Sequence, residues 1–145
     1  MDRPRIRMSA AAAAGLLVAA FAVPACSVQR AGNFKIDRIH YREGARLNSE
    51  VIVIKNVSAQ RRMLTHFRIV DANGGSTYTF PVTALKPGHS VTLHTFHGHN
   101  RQGHRYWRRD VPVWNDAGDT AWLINPRGKR IDTCHYAGGG VTADC

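Results

Sequence analysis

Hydrophobic and polar positions alternate with a period of two along most of this chain. In "FKIDRIHY", Phe34, Ile36 and Ile39 stand against Lys35, Asp37 and Arg38. The period breaks after Asp37, which predicts a bulge or a strand end there. "EVIVIKNV" is a nearly unbroken β-branched run closed by Asn56, and predicts a strand buried on both faces or close to it. "MLTHFRIVDANGG" is a third run, ended by the turn formers Asn73, Gly74 and Gly75. "STYTFP" is a compact fourth, stopped by Pro81. Pro87–Gly88 predicts a type II turn, because Gly88 accepts the positive φ such a turn requires. Val91, Leu93 and Thr95 then alternate with Thr92 and His94, predicting a half-buried strand. "VPVW" and "TAWLINP" are further apolar runs on either side of "NDAGD", and "RIDTCHY" completes the series. No helical periodicity is sustained after the N-terminal segment. About seven to nine short strands between turns predict an all-β chain folded as one antiparallel β-sandwich.

The N-terminal segment has a different grammar. Arg3, Arg5 and Arg7 precede the uncharged apolar run "AAAAAGLLVAAFAV", and "VPAC" offers small residues for cleavage. Residues 1–25 therefore read as a cleaved secretory signal peptide. The run is shorter than the roughly 20 residues of a membrane span. Residues 26–32 form a short polar lead. "VPAC" also partly resembles a bacterial lipobox, in which Cys26 would become the lipidated first residue; Pro24 departs from that pattern. The expected location is secreted and extracellular, with or without anchorage to the cell surface through Cys26.

Charge adds one functional candidate. The formal net charge is +10, of which Arg3, Arg5, Arg7 and Asp2 carry a net +2. About +8 would stay with the exported part, enough to attract DNA, cell-wall polymers or anionic lipid heads. "HNRQGHRYWRRD" interleaves Arg101, Arg105, Arg108 and Arg109 with Tyr106 and Trp107. Guanidinium groups can fork onto phosphates and exposed aromatics can stack on bases. Arg61 and Arg62 are accessory candidates in another loop. The opposing reading places Tyr106 and Trp107 in the core and leaves a solvated basic loop.

Three cysteines make an odd count. In an oxidising compartment the expected pair is Cys134–Cys145, which would staple the Gly-rich tail, residues 137–145, back onto the last strand. Cys26 is left over.

The remaining chemistry is thin. His94, His97, His99 and His104 crowd one stretch, and H-x-H spacing can gather two imidazoles at a metal. Gly98 intervenes and no acid stands nearby in sequence, so a solvated loop is the plainer reading, with His94 packing on its strand. Asn115, Asp116 and Asp119 lie close together, but "NDAGD" lacks the D-x-D-x-D-G spacing and terminal Glu of a calcium loop. Asn, Asp and Gly are also the residues that accept turn angles and bond their own main chain. A turn is expected, flanked by buried Trp114 and Trp122. No G-x-S-x-G or H-E-x-x-H motif is present. Adjacent strand residues point to opposite faces, so Cys134 and His135 cannot form a relay. No catalytic residue, metal or cofactor is assigned.

"EVIVIKN", "STYTFP", "LKPGHSVTLHT", "RYW" and "VWNDAGDTAWLINPRGKRIDT" occur in an order and at spacings that closely resemble the lamin tail domain, over about residues 33–136. The resemblance, which is to a small secreted bacterial form of the domain, implies an immunoglobulin-like β-sandwich. It also implies structural roles for Phe67, Trp107, Trp114, Asn115, Gly118, Asp119 and Trp122. Two departures stand out. His66–Phe67 replaces the family's usual Gly-Trp, and Val53 replaces an acidic residue. The expected function is an exported non-enzymatic binding or structural module with an unidentified extracellular partner. The alternative is a protein that binds polyanions, extracellular DNA or a cell-wall polymer, through its basic Arg/aromatic loop. An enzyme is the least supported reading.

Overall fold

The computed structural model describes residues 32–42 and 48–145, so the signal-peptide and Cys26 readings lie outside the described residues. Every regular element among these is a strand: β1 (Phe34–His40), β2 (Val51–Asn56), β3 (Arg62–Met63), β4 (Arg68–Asp71), β5 (Thr77–Thr79), β6 (Ala84–Leu85), β7 (Ser90–His94), β8 (His104–Tyr106), β9 (Asp119–Ile124), β10 (Arg130–Tyr136) and β11 (Thr142–Asp144). Eleven exceed the seven to nine expected because several, such as the two-residue β3 and β6, are too short to show a period.

The strands form an immunoglobulin-like sandwich. One sheet runs β11-β1-β2-β7-β8, the other β10-β9-β4-β5, and β3–β6 is a small separate ribbon. Phe34, Ile36, Ile39, Ile52, Ile54, Val91 and Leu93 face inward from the first sheet. Ile69, Ala121, Leu123, Cys134 and Tyr136 meet them from the second, and Leu64, Phe80, Leu85 and Trp114 fill the space between. Phe67 and Trp107 pack at the margin of this core, Phe67 edge-on to Phe34 at 5.2 Å and Trp107 against Trp114 at 6.2 Å.

The break after Asp37 is a bulge: the β1–β2 register slips between Ile36 and Arg38. Without it Ile36 and Ile39, three residues apart, would face opposite ways; the extra residue returns both to the core. Other expectations need correction. In β2 only Ile52, Ile54 and Asn56 are buried, while Val51, Val53 and Lys55 are half-buried. Among the described residues the outer-face positions Val51, Val53 and Lys55 stay half-buried, so these valines serve strand propensity more than the core. "VPVW" forms no strand. Pro112 has no N–H, and the Val113 and Trp114 amides donate to Glu50 Oε1 at 2.8 and 3.3 Å instead of to a ladder. Trp122 is half-buried on the outer face of β9, beneath the Arg130 guanidinium 5.1 Å from its ring centroid. Strand alternation explains this: Asp119, Ala121 and Leu123 take the inward phase. Finally, β8 pairs in parallel with β7, the single exception to antiparallel pairing among the described strands.

Cys134 and Cys145 form a disulfide. The tail does not simply fold back on β10. It crosses to the other sheet, where β11 pairs with β1 and the Cys145 amide donates to Asp37 O at 3.0 Å. The bridge therefore ties one sheet to the other.

Candidate functional site

The acid-rich turn is built from its main chain outward. Gly118 N donates to Asn115 O at 3.1 Å and closes the turn, and Ala117 N reaches Asn115 Oδ1 at 3.3 Å. Gly118 has φ 128°, and a Cβ there would lie 2.9 Å from Tyr136 O, so only glycine fits. Asp119 is not at the tip. It opens β9, is buried, and accepts from the Asn115 and Thr120 amides at 3.1 and 2.7 Å. Burial pushes its pKa up; the two amide bonds oppose that, and the nearby Asp71 carboxylate adds to the rise. Tyr136 donates its hydroxyl to Asn115 O at 2.9 Å, and burial, with Asp119 and Glu50 close by, holds it firmly as a phenol.

A cavity opens beside this turn, lined in part by Tyr41, Glu50, Trp114 and Asp116. Its ionisable groups have other work. Glu50 accepts two backbone amides, the Tyr41 hydroxyl accepts from Gly140 N at 2.8 Å, and Asp116 lies 3.8 Å from Arg42.

The four histidines are divided by the fold. His94 and His104 come together across β7 and β8, with Nε2 of one 2.9 Å from Nδ1 of the other, and Tyr106 stacks on His94 at 4.6 Å. Burial holds the His94 pKa below its ordinary value. His97 instead pairs with Asp110 at 2.8 Å, an acid that sequence proximity did not suggest, and His99 is exposed. Among the described residues no group of three or more His, Cys, Asp or Glu is placed to hold a metal ion.

The arginine stretch also splits. Arg105 is half-buried and spends its guanidinium on Thr83 Oγ1 and on the carbonyls of Arg101 and His104. Trp107 belongs to the core margin, and half-buried Tyr106 stacks on His94 and packs against Gly98. Arg108 and Arg109 leave at the far end of β7, where their amides bond Phe96 O and Thr95 O. Arg101 lies at the opposite end, near the start of β7, because β7 and β8 run parallel.

That end holds an arrangement that sequence reading missed. Asn56, fully buried at the end of β2, uses every polar atom it has. Its Nδ2 donates to Gln60 O at 2.8 Å and to Leu85 O at 2.9 Å, and its Oδ1 accepts from Ser58 N at 3.0 Å and Ser58 Oγ at 2.8 Å. Its own amide donates to His89 O and its carbonyl accepts from Gly88 N, both at 2.9 Å. His89 N closes the expected Pro87–Gly88 turn on Lys86 O at 3.1 Å, with Gly88 at φ 73°. One buried amide thus locks the segment before Arg61 to the turn carrying Lys86 and His89. Arg61, Lys86 and His89 are exposed and line a common cavity with Ser90 and Gln102. Arg62, one residue on, is half-buried on β3 opposite Leu85. The signal was available: Asn56 is a polar residue in the buried phase of Ile52 and Ile54.

The family profile described as Lamin Tail Domain matches residues 27–138, and the chain belongs to that family. Comparison with curated proteins gives no match.

Proposed function

From its membership of the lamin tail domain family, we propose that this chain is an exported, non-enzymatic module that binds or scaffolds at the cell exterior. The observation that carries the reading is the employment of its acids. Among the described residues Glu50, Asp71, Asp119 and Asp132 accept main-chain amides, while Asp37, Asp110, Asp116 and Asp144 pair with Lys35, His97, Arg42 and Arg38. Each has a structural task, so the described carboxylates are committed to holding the fold. Export rests on the signal-peptide grammar of residues 1–25. Intact mass of the protein recovered from the producing cells tests it. Loss of residues 1–25 supports export, a diacylglycerol adduct on Cys26 adds surface anchorage, and an unprocessed chain contradicts both.

A second reading is favoured by what the same accounting leaves over. Lys55, Arg61, Lys86, Arg101, Arg127 and Lys129 form no ion pair among the described residues, so the surface carries a surplus of cations. Such a surface supports binding of an acidic polymer, extracellular DNA or a cell-wall polymer. The aromatic half of the earlier expectation drops out, because Tyr106 and Trp107 are engaged. Salt titration of binding is the test: log K should fall with log salt by about 0.9 per neutralised phosphate on duplex DNA. An affinity indifferent to salt contradicts this mechanism.

A further inference from the structure

We propose that the cavity between the β2–β3 connection and the Lys86–His89 turn is a seat for a phosphate group, supplied by a phosphodiester polymer or as free phosphate. The polymer form rests on the polyanion reading above and says where the chain would be gripped.

Three observations carry it. First, the lining is one-sided. Arg61, Lys86, His89, Ser90 and Gln102 line a cavity of about 370 Å³ together with Ala84, Leu85 and Gly103, and among the described residues no Asp or Glu lines it. The residues around this one volume carry a guanidinium, an ammonium, an imidazole, a hydroxyl and a side-chain amide. That set suits an oxyanion whose acceptors point in several directions, whereas a carboxylate would be served by the arginine fork alone. Second, the backbone that carries these side chains is fixed before any ligand arrives. The Asn56 bonds to Gln60, Leu85, Gly88 and His89 hold both walls of the cavity from below. Cations carried on a rigid backbone, with no counter-charge among the described residues of the lining, focus a field that an entering anion relieves, and the ordered backbone lowers the cost of bringing them to one ligand. Third, the cavity continues. Gln102 also lines the adjoining groove, where Arg101 is the cation left free because Arg105 is committed to carbonyls. Successive phosphates of a polymer could lie at the Asn56-locked seat and at Arg101.

The experiment uses the mature full chain, a short oligothymidylate and inorganic phosphate as probes, followed by calorimetry and amide chemical shifts. Arg61→Ala/Lys86→Ala removes two donors from exposed positions, Arg61→Lys/Lys86→Arg keeps the charge there, and Arg108→Ala/Arg109→Ala removes equal charge at the other end of β7. Each single-strand phosphate contact contributes about fivefold at roughly 0.1 M salt, so the first variant should lose about 25-fold in oligothymidylate affinity and about 1.4 in salt slope. The charge-keeping variant should recover most of that, and the distant pair should change little. Equal losses from the two charge-removing pairs overturn the seat while leaving the polyanion reading intact. An oligothymidylate that does not bind, with phosphate still shifting the Arg61, Lys86 and His89 amides, sinks the polymer reading and supports a seat for free phosphate. Failure of both probes to perturb these residues overturns the seat.

Discussion

Replacing Asn56 by alanine should destabilise the whole sandwich. The side chain makes four hydrogen bonds, to the Gln60 and Leu85 carbonyls and from the Ser58 amide and hydroxyl. A typical intramolecular bond contributes about 1 kcal/mol net, and a buried group left unpaired forfeits more. Leu85 O faces the buried end and would not replace the lost bond with water, whereas Ser58 and Gln60 lie nearer solvent and would recover it. The expected loss is therefore about 3 kcal/mol rather than the simple sum. Urea unfolding followed by tryptophan fluorescence reads it as a lower midpoint at unchanged m. Asn56→Asp sharpens the case. The carboxylate keeps the Ser58 bonds but confronts two carbonyl oxygens with no hydrogen to give, so it should cost at least as much at neutral pH. A loss below about 0.5 kcal/mol for Asn56→Ala would refute the idea that this amide locks the two segments together.

Opening the Cys134–Cys145 bridge, whose partners are 11 residues apart, should cost about 3 kcal/mol. Cys145→Ser should also speed hydrogen exchange at the Tyr41 amide, which bonds Val141 O, and unchanged protection there would contradict a tail held by the bridge. Asp119 has a raised pKa in the fold, so its contribution is complete below its ordinary value of 3.8 and is lost as pH rises through the folded value. Wild type should gain on Asp119→Asn in unfolding free energy as pH falls from about 7 to about 4, and parallel curves would contradict the burial argument. His66 sits at φ 63°, a region that costs an L-residue about 1–2 kcal/mol, so His66→Gly should raise stability by about 0.5–1 kcal/mol after the glycine's entropy is deducted. A lower denaturation midpoint for His66→Gly would mean the imidazole makes a contact that outweighs the strain.

Local alternation made much of this fold legible. The bulge after Asp37, the Pro87–Gly88 turn and the strand through Val91 and Leu93 are each written in a few neighbouring residues. His66 at positive φ also fits the place where the family usually has glycine. What escaped depends on distant partners. Val113 and Trp114 look like strand residues, but their amides are claimed by a glutamate 63 and 64 positions earlier. Parallel pairing of β8 requires residues 95–103 to return along β7, which no short window encodes. Trp122 was expected inside because it is large and apolar, yet the phase set by Ala121 and Leu123 puts it outside. The arginines were grouped by closeness in sequence; the fold sends Arg108 and Arg109 one way and gathers Arg101 toward Arg61. Phase rather than residue type was the better guide, and Asn56 is the clearest case.

The proposed seat depends on a division of labour in which acids hold the fold and unpaired cations face outward. Amide chemical-shift mapping during titration with a phosphodiester oligomer tests this most directly. Shifts should concentrate at Arg61, Lys86, His89 and Gln102 and leave Glu50, Asp71 and Asp119 unmoved. Shifts clustered instead around Glu50, Trp114 and Asp116, with the Asn56-locked cations silent, would contradict it.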